Sequence, residues 1–348
     1  MTLAERFIVL FQLPYALGCL FVGFFLFGFV SSYLSSYVET ADASAAFIAA
    51  LTPVAVLIYL LVSYAFFVPH YMRRKLAEAG ISLAALHPDR EEGYRAAFAR
   101  VSAWRPQLLS WLLFLAALLL ALSVPAIVGT GPSPIVIGPR GNSNALQDVA
   151  AFFSLASFAV ITLGLSSVVW TYWTVSMGIR RFGESPLRLR SYYEDGFLGL
   201  KPLGSLALSL ATAYFSFIGL FLATLVASPT VPTIADIVGM GGLLTGLMVL
   251  GLLLFFLPLR KLHERMTEQK RRERDALKEP LGAVFHDSVG GGSSQDVGEM
   301  LKLDMMERKV SAMALWPFDM RILGRLSVIA LSVTAILVSR ILALLLRI

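Results

Sequence analysis

The sequence predicts an all-α, polytopic membrane helix bundle with about seven transmembrane helices. Its 348 residues are 57% hydrophobic and only 15% charged, whereas soluble domains are about 25% charged. Seven apolar runs are near or above the ~20 residues that a helix needs to cross a bilayer. These runs are continuous and do not alternate with period two, so they are not strands of a transmembrane barrel.

The predicted spans lie at residues 13–38, 45–71, 108–128, 149–179, 203–227, 234–259 and 326–346. The first run is longer than the roughly 7–15 apolar residues of a cleavable signal. We therefore expect the first helix to remain in the protein. Cys19 is the only cysteine, which predicts neither an internal disulfide nor a multi-cysteine metal site.

The basic residues predict how the spans are oriented. Of the 29 Lys and Arg residues, all but three fall on one side of the seven-span plot, and the exceptions are Arg140, Arg340 and Arg347. Short loops rich in Lys and Arg stay in the cytoplasm, which places the N-terminus inside and the C-terminus outside. We expect a multi-pass protein of the cell inner membrane or plasma membrane, surrounded by the lipid bilayer and without a nucleic-acid partner.

Few acidic residues fall on the opposite side, and they are Glu39, Asp42, Asp148 and Asp236. Together they could form a vestibule that attracts cations. The last three each lie at the start of a helix that runs inward, where a carboxylate caps the helix and complements its dipole. Capping is the prediction that we favour.

The chain divides into three predicted regions. Residues 1–259 form a six-helix transmembrane bundle with short cytoplasmic loops, residues 260–318 form a cytoplasmic helical hairpin, and residues 319–348 form the seventh transmembrane helix. The second arm of the hairpin carries Leu303, Met306 and Val310 on one apolar face. This face can pack on the first arm, on other loops or on a neighbouring subunit.

The first arm of the hairpin carries a run of basic residues, Lys270, Arg271, Arg272 and Arg274. Such a run can bind anionic lipid or a partner protein. Acidic residues are interleaved with it, which favours a solvated helix face.

A short joint connects the hairpin to the last span. Pro317 ends the incoming arm, Asp319 can cap the next helix, and Trp316 suits the headgroup level of a bilayer. This Trp-Pro-Phe-Asp joint, together with the entry to the fifth span at residues 199–206, resembles a group of uncharacterised prokaryotic multi-pass membrane proteins. The resemblance implies a membrane helix bundle and no particular function.

The sequence lacks the motifs in which the catalytic residues of common enzymes are found. The sequence has no P-loop, dinucleotide-binding, zinc-protease or serine-hydrolase motif. The four histidines fall on different segments without ligand spacing, which favours solvated or interfacial side chains over a metal site. The absence of Asp and Glu deep inside any span argues against proton-coupled carriers. We therefore predict no enzyme activity, no catalytic, cofactor-binding or metal-ligating residues, and no cofactor.

Two helix faces are candidates for either a pathway or helix packing. The fifth span carries a hydroxyl stripe formed by Ser205, Ser209, Thr212 and Ser216. The sixth span carries a small-residue surface that includes Gly242 and Gly246, which match a close-packing motif. Packing is the more common role for both, and the hydroxyl stripe is the better candidate for a pathway.

The seventh span contains one ionisable residue, Arg340. It is close enough to the outer surface for its side chain to reach the interface. Alternatively it faces a water-filled path, with Ser332 and Ser339 on an adjoining face.

These features favour a channel-like homo-oligomer that passes ions or small solutes, because no Asp or Glu lies deep inside any span and the spans carry hydroxyl stripes. One alternative is a non-transporting membrane sensor or scaffold whose hairpin binds a cytoplasmic protein. A second alternative is a secondary carrier, although the sequence lacks the paired repeats typical of carriers.

Overall fold

A computed structural model describes residues 1–127, 145–191, 194–227, 234–289 and 294–318, together with isolated positions between 324 and 339. Within these residues every regular element is helical, in agreement with the predicted all-α class. The helices are α1 (Leu3–Val9), α2 (Tyr15–Leu20), a π-helix (Phe21–Val30), α3 (Ser31–Thr40), α4 (Ala43–Ala50), α5 (Pro53–Ala84), α6 (Arg90–Phe98), a 3-10 turn (Ala99–Ser102), α7 (Trp104–Ile127), α8 (Ala145–Glu184), α9 (Lys201–Ala227), α10 (Ile234–Val289) and α11 (Ser294–Ser311).

Six stretches of the described residues are long and apolar enough to cross a membrane, which supports a multi-pass integral membrane protein. They are Tyr15–Thr40, Pro53–Ala84, Arg90–Leu120, Gln147–Glu184, Lys201–Thr224 and Thr245–Lys278. We refer to them as the first to sixth spans. Most of the predicted seventh span lies outside the described residues, so the count of seven stays a prediction.

The second span begins later than the sequence predicts. Residues 45–50 belong to the separate helix α4, whose start is capped because the Asp42 carboxylate accepts a hydrogen bond from the Ser44 amide at 2.8 Å. The hydrogen bond from the Ser44 hydroxyl lowers the pKa of Asp42, and the bond from the Ser44 amide adds to this effect. A new helix then starts at Pro53, where the Thr52 hydroxyl caps α5 and proline needs no amide partner. The hydrophobicity of the sequence alone does not reveal this break between α4 and α5.

The second, fourth and fifth spans form the centre of the bundle, and the third lies at its edge. Of the most apolar stretch of each span, 44% is buried in the fifth and only 6% in the third. Large side chains such as Met72, Ile179 and Leu203 are fully buried in the shared core. On the third span, Leu109 and Leu113 are more than half exposed, as suits a surface that faces lipid.

Basic side chains of α10 hold the ends of two other helices. The Arg265 guanidinium donates to the carbonyl oxygens of Glu184 and Ser185, at the C-terminus of α8. Lys270 donates to the carbonyl of Ser311, the last residue of α11, and to that of Met313 just after it. Cations complement the negative end of a helix dipole. Lys270 therefore caps the end of α11, whereas the sequence favoured a solvated helix face for this basic run.

The apolar face of α11 is largely covered within this chain. Val310 is buried and Leu303 and Met306 are half-buried, as α11 packs on α10. Among the side chains of α11 that the structure describes, Leu301 and Met305 are large, apolar and each 56% exposed.

The joint after α11 packs against the start of the fifth span. The Trp316 indole stacks on His263 of α10 with ring centroids 4.2 Å apart. The Pro317 carbonyl lies so close to Gly204 that a Cβ atom at this glycine would collide with it. The two segments that carry the sequence resemblance are therefore in contact, and only glycine fits at position 204.

Candidate functional site

A polar crevice of about 500 Å3 lies between the first, second and fourth spans. Its serine hydroxyl groups come from the first and fourth spans, and Glu39 lies on its lining at the end of α3. We call it the hydroxyl crevice, and its serines are Ser31, Ser32, Ser35, Ser36, Ser154 and Ser157. The volume falls within the range of about 300–1,000 Å3 that small-molecule sites occupy.

The first span presents serine and aromatic residues in separate rows. Pairs of serines recur four residues apart at 31, 32, 35 and 36, so they share one face of α3. A ladder of stacked rings follows the same span, with neighbouring centroids 5.8–6.2 Å apart, and consists of Phe21, Phe25, Phe29, Tyr33 and Tyr37. The rings Phe25, Phe29 and Tyr33 do not line the crevice. The first span therefore has one serine face and one aromatic face, although its sequence is apolar overall.

Two glycines bring the first span close to the second. A Cβ atom at Gly23 would lie 2.6 Å from the Ser63 amide nitrogen, and one at Gly28 would lie 2.5 Å from the Tyr59 ring. The two glycines are five residues apart, which matches the i→i+5 repeat of the π-helix. The π-helix thus sets both contacts on one side of the span, next to the crevice that both glycines line.

One crevice hydroxyl has no protein partner. Ser157 is only 6% exposed, and its Oγ makes no hydrogen bond within the part of the chain that the structure describes. Burying a hydroxyl without a partner costs about 1–3 kcal/mol. Such a group commonly binds water or a ligand, and Ser157 lines a space large enough for either.

Apolar side chains close the crevice toward the basic end of the bundle, which we define by Arg73 and Arg180. Cys19, Val22 and Phe66 are each at most 2% exposed, and they pack together in one cluster. This cluster, which we call the apolar barrier, is one helical turn beyond Val62 at the crevice floor.

A buried carboxylate lies on the far side of the apolar barrier. The Glu5 side chain is 1% exposed, and its oxygens lie 3.0 Å from the Arg73 guanidinium and 3.3 Å from His70 Nδ1. Thr2 and Glu5 also cap each other's backbone at the start of α1. The Tyr15 ring stacks on His70 with centroids 4.1 Å apart. The carboxylate is thus paired, as a buried charge must be.

The N-terminal helix is fixed to the bundle by a second polar contact. The Gln107 side chain accepts a hydrogen bond from the Leu3 amide at 2.7 Å and donates to the Ser167 hydroxyl at 3.0 Å. Gln107 is 1% exposed. Helix α1 is therefore held by the second, third and fourth spans together.

The crevice, the barrier and the carboxylate follow one another along α5. Tyr59, Val62, Phe66, His70 and Arg73 recur at spacings of three and four, so they lie on one face of this helix. Val62 and His70 are eight residues apart, which is about 12 Å along an α-helix. A short apolar stretch therefore separates two polar regions.

The hydroxyl stripe of the fifth span lies elsewhere. Ser205 is exposed, whereas Ser209, Thr212 and Ser216 are half-buried. None of the four lines the hydroxyl crevice. The Ser209 hydroxyl donates to the Ser205 carbonyl one turn earlier, so part of this stripe satisfies itself within its own helix.

The remaining candidates are only partly described. The Ser332 hydroxyl is exposed and donates to the Val328 carbonyl at 2.8 Å. Ser339 is exposed and helical. Arg340 and Asp319 lie outside the described residues. On α10, a Cβ atom at Gly242 or Gly246 would meet no described atom within 4 Å, whereas one at Gly251 would collide with the Tyr214 ring. The small-residue surface therefore packs on the fifth span at Gly251, and its close-packing motif meets no described residue.

The histidines have individual structural surroundings. His70 belongs to the Glu5 cluster, His263 stacks on Trp316, and His87 is 8% exposed beside Gly93. Across the described ranges, no group of three or more His, Cys, Asp or Glu residues lies close enough to hold a metal ion.

The sequence analysis missed Glu5 and the serines of the first span. Glu5 precedes the first apolar run, so a search for charges inside spans does not include it. The pattern Ser-Ser-x-x-Ser-Ser at 31–36 is visible in the sequence, and its repeat of four was an available signal. No family model, no curated protein and no solved structure matches this chain. Function must therefore be inferred from the side chains themselves.

Proposed function

We propose that this membrane protein passes small cations or neutral polar solutes between its first, second and fourth spans. The hydroxyl crevice is the entrance, and the observation that carries the proposal is the buried, unpaired hydroxyl of Ser157 that lines it. Hydroxyl groups can replace water around a solute without adding a fixed charge. Glu39 at the crevice favours cations over anions.

The apolar barrier is the gate in this proposal. Phe66 is fully buried between the crevice and the Glu5 cluster, and it lies on the same face of α5 as residues from both. Apolar constrictions gate membrane pathways by excluding water. Opening would require Phe66 and its neighbours to move apart, which would join the crevice to the polar groups around Glu5.

Thiol labelling tests whether the crevice contains water. Ser35→Cys and Ser157→Cys are made in a Cys19→Ala background, which has no other thiol, and treated with a charged, membrane-impermeant thiol reagent. We expect reaction when the reagent is added on the side of Glu39. The matched control is Ser209→Cys, a half-buried serine outside the crevice. If neither crevice cysteine reacts from either side, the pathway is wrong.

Flux measurements test the gate. In liposomes, Phe66→Ala is expected to increase the uptake of potassium ions or glycerol several-fold over the unsubstituted protein. Phe215→Ala is the control, because Phe215 is equally buried but lies in the core shared with the fifth span. Equal flux in both variants would contradict a gate at Phe66.

The closed barrier also suits a carrier, which holds its solute in an occluded site before release. The concentration dependence of the same flux separates the two. A channel gives uptake that rises in proportion to solute, whereas a carrier saturates.

A further inference from the structure

A second cavity, of about 440 Å3, lies between the fourth, fifth and sixth spans, and a side chain of the third also lines it. Its lining is almost entirely apolar and includes Val168, Phe217 and Leu254. Val169 and Leu250 on this lining are 62% and 46% exposed, so the cavity opens sideways between helices. We call it the apolar cavity. In a bilayer, such an opening faces lipid chains.

The apolar cavity continues into a basic mouth of about 420 Å3. Trp173 and Leu254 line both spaces, which makes them one groove along α8 and α10. The mouth adds three cationic side chains, Arg180, Arg260 and Lys261. An apolar groove therefore ends in positive charge at the basic end of the bundle.

These three cations are only partly neutralised. Arg180 pairs with Glu184 at 2.9 Å, and Arg260 and Lys261 share Glu264 at 3.1 and 2.9 Å. All three pairs lie within single helices and are exposed, and pairs of that kind are weak. Each arginine uses its Nε atom, which leaves its terminal amino groups able to bind an anion. The mouth keeps an excess of one positive charge.

Two residues that line this groove carry buried hydroxyl groups without a partner among the described residues. Tyr172 lines the apolar cavity and is 6% exposed, and Ser176 lines the mouth and is 8% exposed. Neither hydroxyl makes a hydrogen bond to any described residue. An unpaired buried hydroxyl in a native structure needs an explanation, and a ligand with acceptor oxygens would supply one for both residues.

The chemical groups follow a fixed order along α8. Arg180, Ser176, Tyr172 and Val168 recur every four residues and so share one side of the helix. Charge comes first, then two hydroxyls, then apolar side chains. From Arg180 to Leu165 the helix rises about 22 Å, which is about half of the ~40–45 Å thickness of a bilayer with its headgroups.

We propose that the groove binds one anionic phospholipid from the leaflet at the basic end. Its phosphate lies among Arg180, Arg260 and Lys261, its ester oxygens accept hydrogen bonds from Ser176 and Tyr172, and its acyl chains fill the apolar cavity. The order of groups along α8 matches the order of groups along such a lipid. The proposal is independent of solute passage through the hydroxyl crevice.

Native mass spectrometry of the full chain tests the headgroup. Phosphatidylglycerol is titrated into the delipidated protein and compared with phosphatidylcholine of the same chains and with chain-free glycerol 3-phosphate. We expect phosphatidylglycerol to bind most tightly. Arg180→Gln and Arg260→Gln are each expected to lower its affinity about fivefold. The control is Arg74→Gln, because Arg74 has the same exposed pairing, with Glu78, away from the groove.

A second pair of variants tests whether the acyl chains of the lipid occupy the apolar cavity. Leu250→Trp fills the opening of the apolar cavity and is expected to lower phosphatidylglycerol binding, while Leu113→Trp, on the exposed face of the third span, leaves it unchanged. Equal affinity for phosphatidylcholine would overturn the anionic headgroup. Equal affinity for glycerol 3-phosphate would assign the mouth to free phosphates. If both tryptophan variants lost phosphatidylglycerol binding equally, or if the Arg74→Gln control lost it as well, the lipid would not bind in this groove.

Discussion

The hydroxyl crevice and the apolar cavity are nearly equal in volume, at about 500 and 440 Å3, and α8 borders both. They differ in what lines them. Residues 154–161 of α8 contribute hydroxyl groups beside the serines of the first span, whereas residues 165–173 contribute mainly aliphatic and aromatic side chains. The lining, and not the volume, decides whether water and polar solutes or lipid chains are the suitable occupants.

The two spaces also differ at the basic end. The crevice stops at the apolar barrier, behind which Glu5 is buried and paired. The groove stays open to its basic mouth, where cations are exposed. One space is therefore closed by packing at this end, whereas the other stays open there.

The largest expected effect comes from removing the partner of the buried carboxylate. Arg73→Gln leaves the Glu5 carboxylate with His70 and the Thr2 amide but without its arginine. Breaking a buried ion pair costs about 3–5 kcal/mol. Arg73 is 31% exposed, so we expect a loss near the lower value, about 3 kcal/mol. Chemical unfolding in detergent measures it. Arg74→Gln breaks only an exposed pair and should cost less than about 1 kcal/mol. Equal losses would show that Glu5 does not depend on Arg73.

A smaller effect is expected where the first span meets the second. Gly23→Ala places a Cβ atom against the backbone of Ser63, which cannot rotate away. We expect a loss of about 1–3 kcal/mol, together with a distorted crevice. Gly246→Ala is the control, because its Cβ atom would meet no atom of the described residues within 4 Å. Its higher helix propensity should add up to about 1 kcal/mol of stability. A gain in both variants would contradict the close approach at Gly23.

The smallest expected effect on stability gives the sharpest comparison of the two spaces. Ser157→Ala and Ser176→Ala each remove a buried hydroxyl that has no protein partner, so stability should be unchanged or rise by about 1 kcal/mol. The two variants should affect different functions. Ser157→Ala is expected to lower solute flux and leave lipid binding intact, and Ser176→Ala the reverse. If both variants change both measurements, the spaces are not separate.

Much of the fold was predictable because lipid imposes a simple rule. A helix that crosses a bilayer must be apolar over about 20 residues, and six predicted spans have matching helices. The interruption between Ala50 and Pro53 was not predictable from hydrophobicity, because capping by Thr52 and Asp42 depends on hydroxyl and carboxylate geometry.

Less of the candidate site could be predicted, because it depends on contacts between distant residues. Glu5 meets Arg73 only after two spans have packed. The sequence directs attention to the regular stripe at Ser205 and Ser209, but a stripe on one helix does not reveal what faces it. Ser157 became a candidate only when its burial and missing partner were known.

The contact between Gly204 and Pro317 has a consequence for biosynthesis. Chains are made and fold from the N-terminus onward, yet the first turn of the fifth span packs against a carbonyl that is synthesised much later. The bundle therefore cannot reach its final packing while the ribosome is still completing α11. Until then, the first turn of the fifth span lacks its contact with the joint.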